Sequence, residues 1–449
     1  MKKNETYTVE IIDQGFEGEG IAKINDMTVF VEGAIKGEMV EILIVKVLTH
    51  FAYGKILNIV KESDSRVQED CSSYKKCGGC NLRHIKYETT LKIKKDIVSN
   101  CFYKTLHRDV NVNDCIGMEN PIGYRNKLIY PIGIDKNGNT TMGVFAKRSH
   151  DIVIIDKCYL QNELNDKIAR TVFEWIVKNN IKPYNEQNNT GTIRHVIVRS
   201  GNANGEIMVV LVMKNEKLEQ EAELINTLTT TYPSIKTIVK NINNEKTNVI
   251  LGRKNIVIYG DGYIYDILGK YKFKISPLSF YQVNPVQTQT LYSTAVEYAK
   301  LTGEETVFDL YCGIGTIGIF ASQKAKQVYG IEVVEQAIKD AKENAVINNI
   351  ENTEFMVGEV ERLLPELVEK QEADVVFLDP PRKGCDKKAL ETLLKVEPKK
   401  IVYISCNPAT LARDVEILEE KYTLEKVQPV DMFPYTSHVE TISVLNLKK

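Results

Sequence analysis

Cys406, set in Ser405-Cys406-Asn407-Pro408, is the side chain of this sequence best placed to attack carbon. It follows the apolar run at 401–404, as Asp379 follows the apolar run at 373–378. A thiolate is a strong nucleophile, able to add to C6 of a uracil ring. The addition turns the unreactive C5 into an enolate carbon that can take a methyl group from a sulfonium donor. A base must then remove the C5 proton so that the thiolate can leave. Glu440 and His438 stand just before the apolar run at 442–445 and alternate to one face of an extended segment. Each is a candidate for that base.

A second group is built for a nucleotide-like ligand. The strand expected at 306–310 runs into Tyr311-Cys312-Gly313-Ile314-Gly315-Thr316-Ile317-Gly318, which has the spacing G-x-G-x-x-G. Another strand, at 328–331, ends in Glu332, where a carboxylate can bind ribose hydroxyls. The loop alone fits a dinucleotide as well as S-adenosylmethionine. The later strand ends decide between them, because a nucleotide-dependent oxidoreductase would leave Cys406 and Glu440 without work.

The third group is Cys71, Cys77 and Cys80, with Gly78 and Gly79 letting the last two turn towards one centre. Cys101, Cys115 and Cys158 are available as a fourth thiol. Spacing permits a four-cysteine zinc site as readily as an iron–sulfur cluster.

These groups need elements to position them. The first ~60 residues read as five short strands punctuated by glycines, which suggests a small closed barrel. From ~105 to ~270 strands and two helical stretches, near 162–178 and 216–230, indicate an α+β domain with an antiparallel sheet. From ~275 onward strands and helices alternate, as in a parallel α/β sheet. The implied division is a barrel at 1–61, a central domain at 62–272 and a third domain at 273–449. Between residues 72 and 108 nine basic side chains, including Arg83, Lys92, Lys94 and Lys95, face only Glu88 and Asp96. That run reads as an RNA-facing patch.

The 449 residues, 43% hydrophobic and 26% charged, lie in the globular range, which excludes wholesale disorder and collagen-like structure. Lys and Arg number 58 against 60 Asp and Glu, so any nucleic-acid binding must come from local patches. No apolar run approaches a membrane helix, and the start Met1-Lys2-Lys3-Asn4-Glu5 lacks a signal core. Nine cysteines in such a chain suggest reduced thiols and a cytoplasmic location.

From ~275 to 449 the chain resembles the RNA uracil-C5 methyltransferases, the RumA/TrmA group. The matching motifs are Phe280-Tyr281-Gln282-Val283-Asn284-Pro285, Asp309 to Gly315, Asp379-Pro380-Pro381-Arg382, Ser405-Cys406-Asn407-Pro408 and His438-Val439-Glu440. The barrel resembles the TRAM module, and with the cysteine triplet and Gly123-Tyr124-Arg125-Asn126-Lys127 it extends the likeness over nearly the whole chain. The resemblance implies an OB-like TRAM barrel, a central domain carrying a 4Fe-4S cluster, and a class I, Rossmann-like methyltransferase domain. It makes Cys406 the nucleophile and Glu440 the base, and it lines the S-adenosylmethionine site with Gln282, Tyr311, Glu332 and Asp379. Its cluster ligands are Cys71, Cys77, Cys80 and Cys158. Arg125, Lys127 and Arg413 become RNA contacts. The implied substrate is a uridine of 23S ribosomal RNA, since transfer-RNA members typically lack the barrel and the cysteines. Transfer RNA is the alternative substrate; no obligate protein partner is inferred.

Overall fold

The computed structural model describes residues 1–147 and 149–449. Alternating inward and outward residues fold the N-terminus into β1 (Thr6–Glu10), β2 (Asp13–Gln14), β3 (Gly20–Ile24), β4 (Met27–Glu32), β5 (Met39–Val47) and β6 (Phe51–Lys61). Their order is β1-β5-β6-β4-β3-β2. The two outermost strands are consecutive in the chain, so the sheet curls back on itself. Val9, Ile11, Val29, Val31, Ile42 and Ile44 fill its centre. Gly20 is required there, because a Cβ would lie 2.8 Å from both Ala34 and Ile11.

The helix α1 (Tyr87–Leu106) follows. Next come β7 (Lys127–Ile134), β8 (Thr140–Met142), β9 (Val144–Phe145), β10 (Ile152–Val153), α2 (Glu163–Lys178), β11 (Ile193–Ser200) and β12 (Ile207–Met213). The central region closes with α3 (Glu221–Thr231), β13 (Ile235–Ile242) and β14 (Lys254–Tyr259). The sheet order is β14-β13-β12-β11-β7-β8. It is mixed, not antiparallel as the sequence suggested, because β12 and β13 run parallel. The connection through α3 is a crossover, which returns the chain in the same direction.

A hairpin of β15 (Ile264–Leu268) and β16 (Tyr271–Ile275) comes next, so the expected break at 272/273 falls inside a strand. The backbone N–H groups of Lys272 and Lys274 donate to the side chains of Asn348 and Asn344, so this hairpin packs with the region C-terminal to it. The alternating region then runs α4 (Pro285–Ala299), β17 (Thr306–Leu310), α5 (Thr316–Ala321), β18 (Gln327–Glu332), α6 (Glu335–Ile347), β19 (Thr353–Val357), α7 (Val360–Val368) and β20 (Val375–Leu378). Strands β17, β18 and β19 are parallel neighbours. The chain ends with α8 (Lys387–Val396), β21 (Lys400–Ser405), α9 (Pro408–Leu418), β22 (Tyr422–Val430) and β23 (Glu440–Leu447).

These elements form two compact units that are not contiguous in sequence. The first comprises Met1–Asp70, Gly79–Asn120 and Leu378–Lys449; the second comprises Cys71–Gly78 and Pro121–Phe377. Within the first, Val112 and Ile116 bridge to Val427 and Val430 along β22, which ties the N-terminal third to the C-terminus. No helix among the described residues is long and apolar enough to cross a membrane.

Candidate active site

In the second unit the glycine loop opens at the carboxyl end of β17. Tyr311 takes a left-handed backbone conformation, φ 64°, and Gly313 and Gly315 continue the turn. A Cβ on Gly315 would come within 2.8 Å of the Phe355 ring. Asp309 is fully buried and accepts a 2.8 Å bond from the Gly318 N–H, so it shapes the loop. Glu332 ends β18 and accepts from the backbone N–H groups of Gly313, at 3.3 Å, and Val334, at 2.9 Å. The acidic strand end and the glycine turn thus face one another. Gln282 lies in a segment held by Asn126, whose backbone N–H donates to the Val283 carbonyl at 2.9 Å and whose side chain donates to the Gln282 carbonyl. Asn284 caps α4 by accepting from the Gln287 N–H.

Cys406, Glu440 and Asp379 all belong to the first unit. Strands β21 and β23 run antiparallel with Ser405 opposite Thr441, a register that brings Cys406 beside Glu440. Asn407 caps α9 through the Ala409 N–H and donates from its side chain to the Arg382 carbonyl. Thr410 donates to the same carbonyl. Asp414 is buried and accepts from the Tyr403 hydroxyl at 2.6 Å and the Cys385 N–H at 2.8 Å. This carboxylate ties the turn after Asp379 to the helix after Cys406. Arg413 is engaged by Asp414 and the Lys383 carbonyl, while its side chain stays half exposed.

Burial raises all three titratable groups. Burial pushes the Cys406 thiol up to about 11; Glu440 and Asp379 add to that, and Arg382 opposes it. Burial, then the Asp379 charge, pushes Glu440 up to about 8, again opposed by Arg382. Burial alone pushes Asp379 up to about 7. Arg382 is therefore a member of the cluster whose influence on the thiol was not read from the sequence. His438 is exposed whereas Glu440 is buried, so the two-residue alternation did not give them one environment.

The same shifts set a stability trend. A carboxyl whose pKa is raised by folding stabilises the fold fully only below its unfolded value, roughly 4. That contribution is lost as pH rises through the folded values of about 7 and about 8. Glu440→Gln is expected to melt higher than the unsubstituted protein at roughly pH 8.5, with the gap shrinking towards pH 5. Calorimetry at both pH values checks this, and a gap independent of pH would count against the raised base.

The loop leading to Glu440 is clamped by residues just past the cysteine triplet. Asn81 accepts from the Ser437 N–H at 2.8 Å and donates to the Ser437 hydroxyl and the Glu17 carbonyl. The backbone N–H groups of Asn81 and Leu82 both donate to the Tyr435 carbonyl. Lys94, with no exposed surface, pairs with the equally buried Asp431, which also accepts from the Tyr87 hydroxyl at 2.9 Å. The basic run is therefore not one surface patch: Lys94 is interior, and Arg83 is buried against Asp70 with its guanidinium 4.7 Å from the Tyr435 ring. Burial, with Arg199 nearby, pulls the Lys127 amine down to about 8, so it too is no ordinary surface cation. Lys94→Met should cost about 3 kcal/mol of unfolding free energy, because Asp431 is left charged and buried. Urea titration reads the loss, and a change under about 0.5 kcal/mol would contradict it.

Of the proposed cluster ligands, Cys71, Cys77 and Cys158 belong to the second unit and Cys80 to the first. Cys77 bridges to Ala146, and Cys158 packs partly buried against the central core. Cys71, Cys77, Cys80 and Cys158 are all partly exposed and free of disulfides. Cys115 is buried and its thiol is pushed up to about 12, mainly by burial, which makes it a poor ligand. Among the described residues there is no group of three His, Cys, Asp or Glu side chains that could hold a metal ion.

The second unit thus carries a glycine loop facing an acidic strand end, and the first carries a cysteine and a glutamate on adjacent strand ends. A family model described as tRNA (uracil-5-)-methyltransferase matches residues 202–449, and a TRAM domain model matches residues 2–57. An uncharacterized RNA methyltransferase of Clostridium tetani is 51% identical, covering 99% of this chain and 97% of its own. One from Bacillus cereus is 45% identical over 99% of this chain and 97% of its own. A solved structure, Pyrococcus abyssi tRNA (uracil-54, C5)-methyltransferase with S-adenosyl-L-homocysteine, has a TM-score of 0.78 at 27% identity. It covers 98% of this chain and 100% of that one. The chain belongs to the tRNA (uracil-5-)-methyltransferase family and carries an N-terminal TRAM domain. It is an RNA methyltransferase of the uracil-C5 class.

Proposed function

We propose that this protein methylates C5 of a specific uridine in 23S ribosomal RNA in the cytoplasm. The observation that carries the chemistry is the placement of Cys406 beside Glu440 at the end of β21 and start of β23. S-adenosylmethionine supplies the electrophilic methyl group when bound. The Cys406 sulfur forms a bond to C6 of uracil, and the electron pair moves onto C5, which takes the methyl as its bond to the donor's sulfonium sulfur breaks and that sulfur keeps the electron pair, leaving S-adenosylhomocysteine. Glu440 accepts the C5 proton, and the returning electron pair breaks the S–C6 bond and frees the thiolate. A base with a pKa of about 8 is well matched to that transfer, since efficiency peaks when the pKa lies near the working pH. Burial raises the Asp379 carboxyl to about 7, and its acid form can donate a hydrogen bond to a carbonyl oxygen of the ring as charge develops there. Glu332 binds the donor's ribose, and Gln282 and Tyr311 line the same site.

The ribosomal substrate rests on the barrel together with the cysteine triplet. The archaeal transfer-RNA enzyme favours a second reading, because its match over 98% of this chain takes in the barrel region. A barrel therefore does not by itself separate the two substrates, and the cysteines carry the preference. We further infer that Cys71, Cys77, Cys80 and Cys158 hold a 4Fe-4S cluster, from their spacing and the family likeness; no step of the methyl transfer passes through it.

One experiment tests the substrate. Labelled S-adenosylmethionine is offered with unmodified 23S and transfer-RNA transcripts, and 5-methyluridine is quantified. Label in the ribosomal transcript is expected; label only in transfer RNA would overturn the ribosomal reading and keep the chemistry. Iron and sulfide assays on anaerobically purified protein test the cluster, which zinc without iron would exclude.

A further inference from the structure

The barrel carries an aromatic face that its own core does not use. Alternation sends Val29 and Val31 of β4 and Ala52 and Gly54 of β6 inward, leaving Phe30, Phe51 and Tyr53 half-buried on the outside. None of these three rings packs on the barrel's apolar centre. Strands β4 and β6 run parallel with Phe30 opposite Tyr53 and Thr28 opposite Phe51. The rings consequently meet: Phe30 and Phe51 at 5.7 Å, Phe51 and Tyr53 at 5.6 Å, both edge-on, and Phe30 and Tyr53 at 6.0 Å.

Cations frame the rings. Lys46 of β5 stands opposite Tyr53, Lys23 of β3 opposite Thr28, and Lys55 lies two residues beyond Tyr53. All three are exposed, and none forms an ion pair among the described residues. Glu32, opposite Lys55, is the acid beside them.

Aromatic rings interleaved with unpaired lysines match the chemistry of single-stranded nucleic acid. Each base offers a π-face to a ring, and each phosphate a charge to a lysine. A duplex hides its base faces and can use only the lysines. An enzyme that works on a base must also take it out of the stack, which leaves neighbouring nucleotides unpaired. We propose that the outer face of β3, β4, β6 and β5 is a stacking platform for unpaired nucleotides of the RNA substrate, away from the uridine being methylated. The proposal rests on the RNA methyltransferase reading and adds the place and the structural state of RNA that the barrel grips.

The test uses the full chain and a fluorescein-labelled RNA stem-loop, compared with the same sequence closed by a complementary strand. Phe30→Ala with Tyr53→Ala should weaken stem-loop binding by about tenfold or more and leave the duplex within about twofold. Lys46→Glu should weaken both and lower the salt dependence by roughly one phosphate contact. In the unsubstituted protein, 5-iodouridine placed in the loop should photo-crosslink to Phe30, Phe51 or Tyr53. Unchanged stem-loop affinity in a double variant that melts normally, as a protein occupant would give, overturns the platform. Equal losses on loop and duplex also overturn it. If the double variant does not fold, crosslinks confined to other residues overturn it instead. Methyl transfer by the unsubstituted protein is followed in parallel. Transfer with unaffected variants sinks the platform alone, whereas no transfer and no RNA binding sinks the enzyme reading with it.

Discussion

Cys406→Ala leaves a folded protein whose methyl transfer to RNA falls by about 10⁴-fold or more, the scale seen when a covalent nucleophile is removed. The size of the loss follows from the carbon being methylated, which is unreactive until something adds at C6. Among the described residues no other thiol is placed to substitute. Cys312 is buried in the glycine loop, with its thiol held well above the usual range mainly by burial. Cys385 is buried behind the turn that Asp414 holds. Alanine in place of a half-buried cysteine whose neighbours are held by Asn407 and Asp414 should change stability little. RNA containing 5-fluorouridine gives an independent readout, because fluorine at C5 cannot leave as a proton does. The unsubstituted protein should form an adduct stable to denaturing electrophoresis, and Cys406→Ala should form none. Residual activity within tenfold of normal, or an adduct that persists, would remove Cys406 from the role.

The chemistry was more legible than the packing, and the reason is physical. Glycine spacing and strand-end carboxylates are local features, so Gly313, Gly315 and Glu332 could be placed from a short window of residues. The observed Gly313 to Glu332 bond joins parts of the chain that a strand and a helix separate, as the expected order of elements required. The barrel was legible because alternation in β3 to β6 is regular and glycines mark its turns. What escaped depends on which distant segments meet. Lys94 looked like one of several surface lysines, and only Asp431, 337 residues away, makes it interior. A hint was present, since Lys94 shares a helix face with the apolar Ile93, Ile97 and Val98. The β15–β16 hairpin escaped because the Asn344 side chain that accepts from its Lys274 N–H comes from a helix some seventy residues later. Glu440 and His438 share an alternation pattern, yet β23 begins at Glu440, so pairing with β21 and β22 orients only the first of them.

That difference leads to the second large effect. Glu440→Gln keeps the shape of the side chain and removes its ability to accept a proton, so the reaction should stop after methyl transfer with Cys406 still bonded to C6. Turnover should fall by about 10²–10⁴-fold, the range of general-base contributions. Ordinary uridine RNA, not only its fluorinated analogue, should then give a protein–RNA adduct on a denaturing gel. The pH dependence separates the two groups. In the unsubstituted protein the rate should rise with pH through about 8, because the carboxylate form of Glu440 is required. In the variant that limb disappears, while adduct formation keeps rising towards the thiol's value of about 11. His438→Gln should leave both adduct level and pH profile within about twofold, since an exposed imidazole is not held against the reacting carbon. If Glu440→Gln instead releases methylated RNA at the normal rate, with no adduct, the proton goes elsewhere. His438→Gln should then be the variant that stalls, and the roles of the two residues would be exchanged.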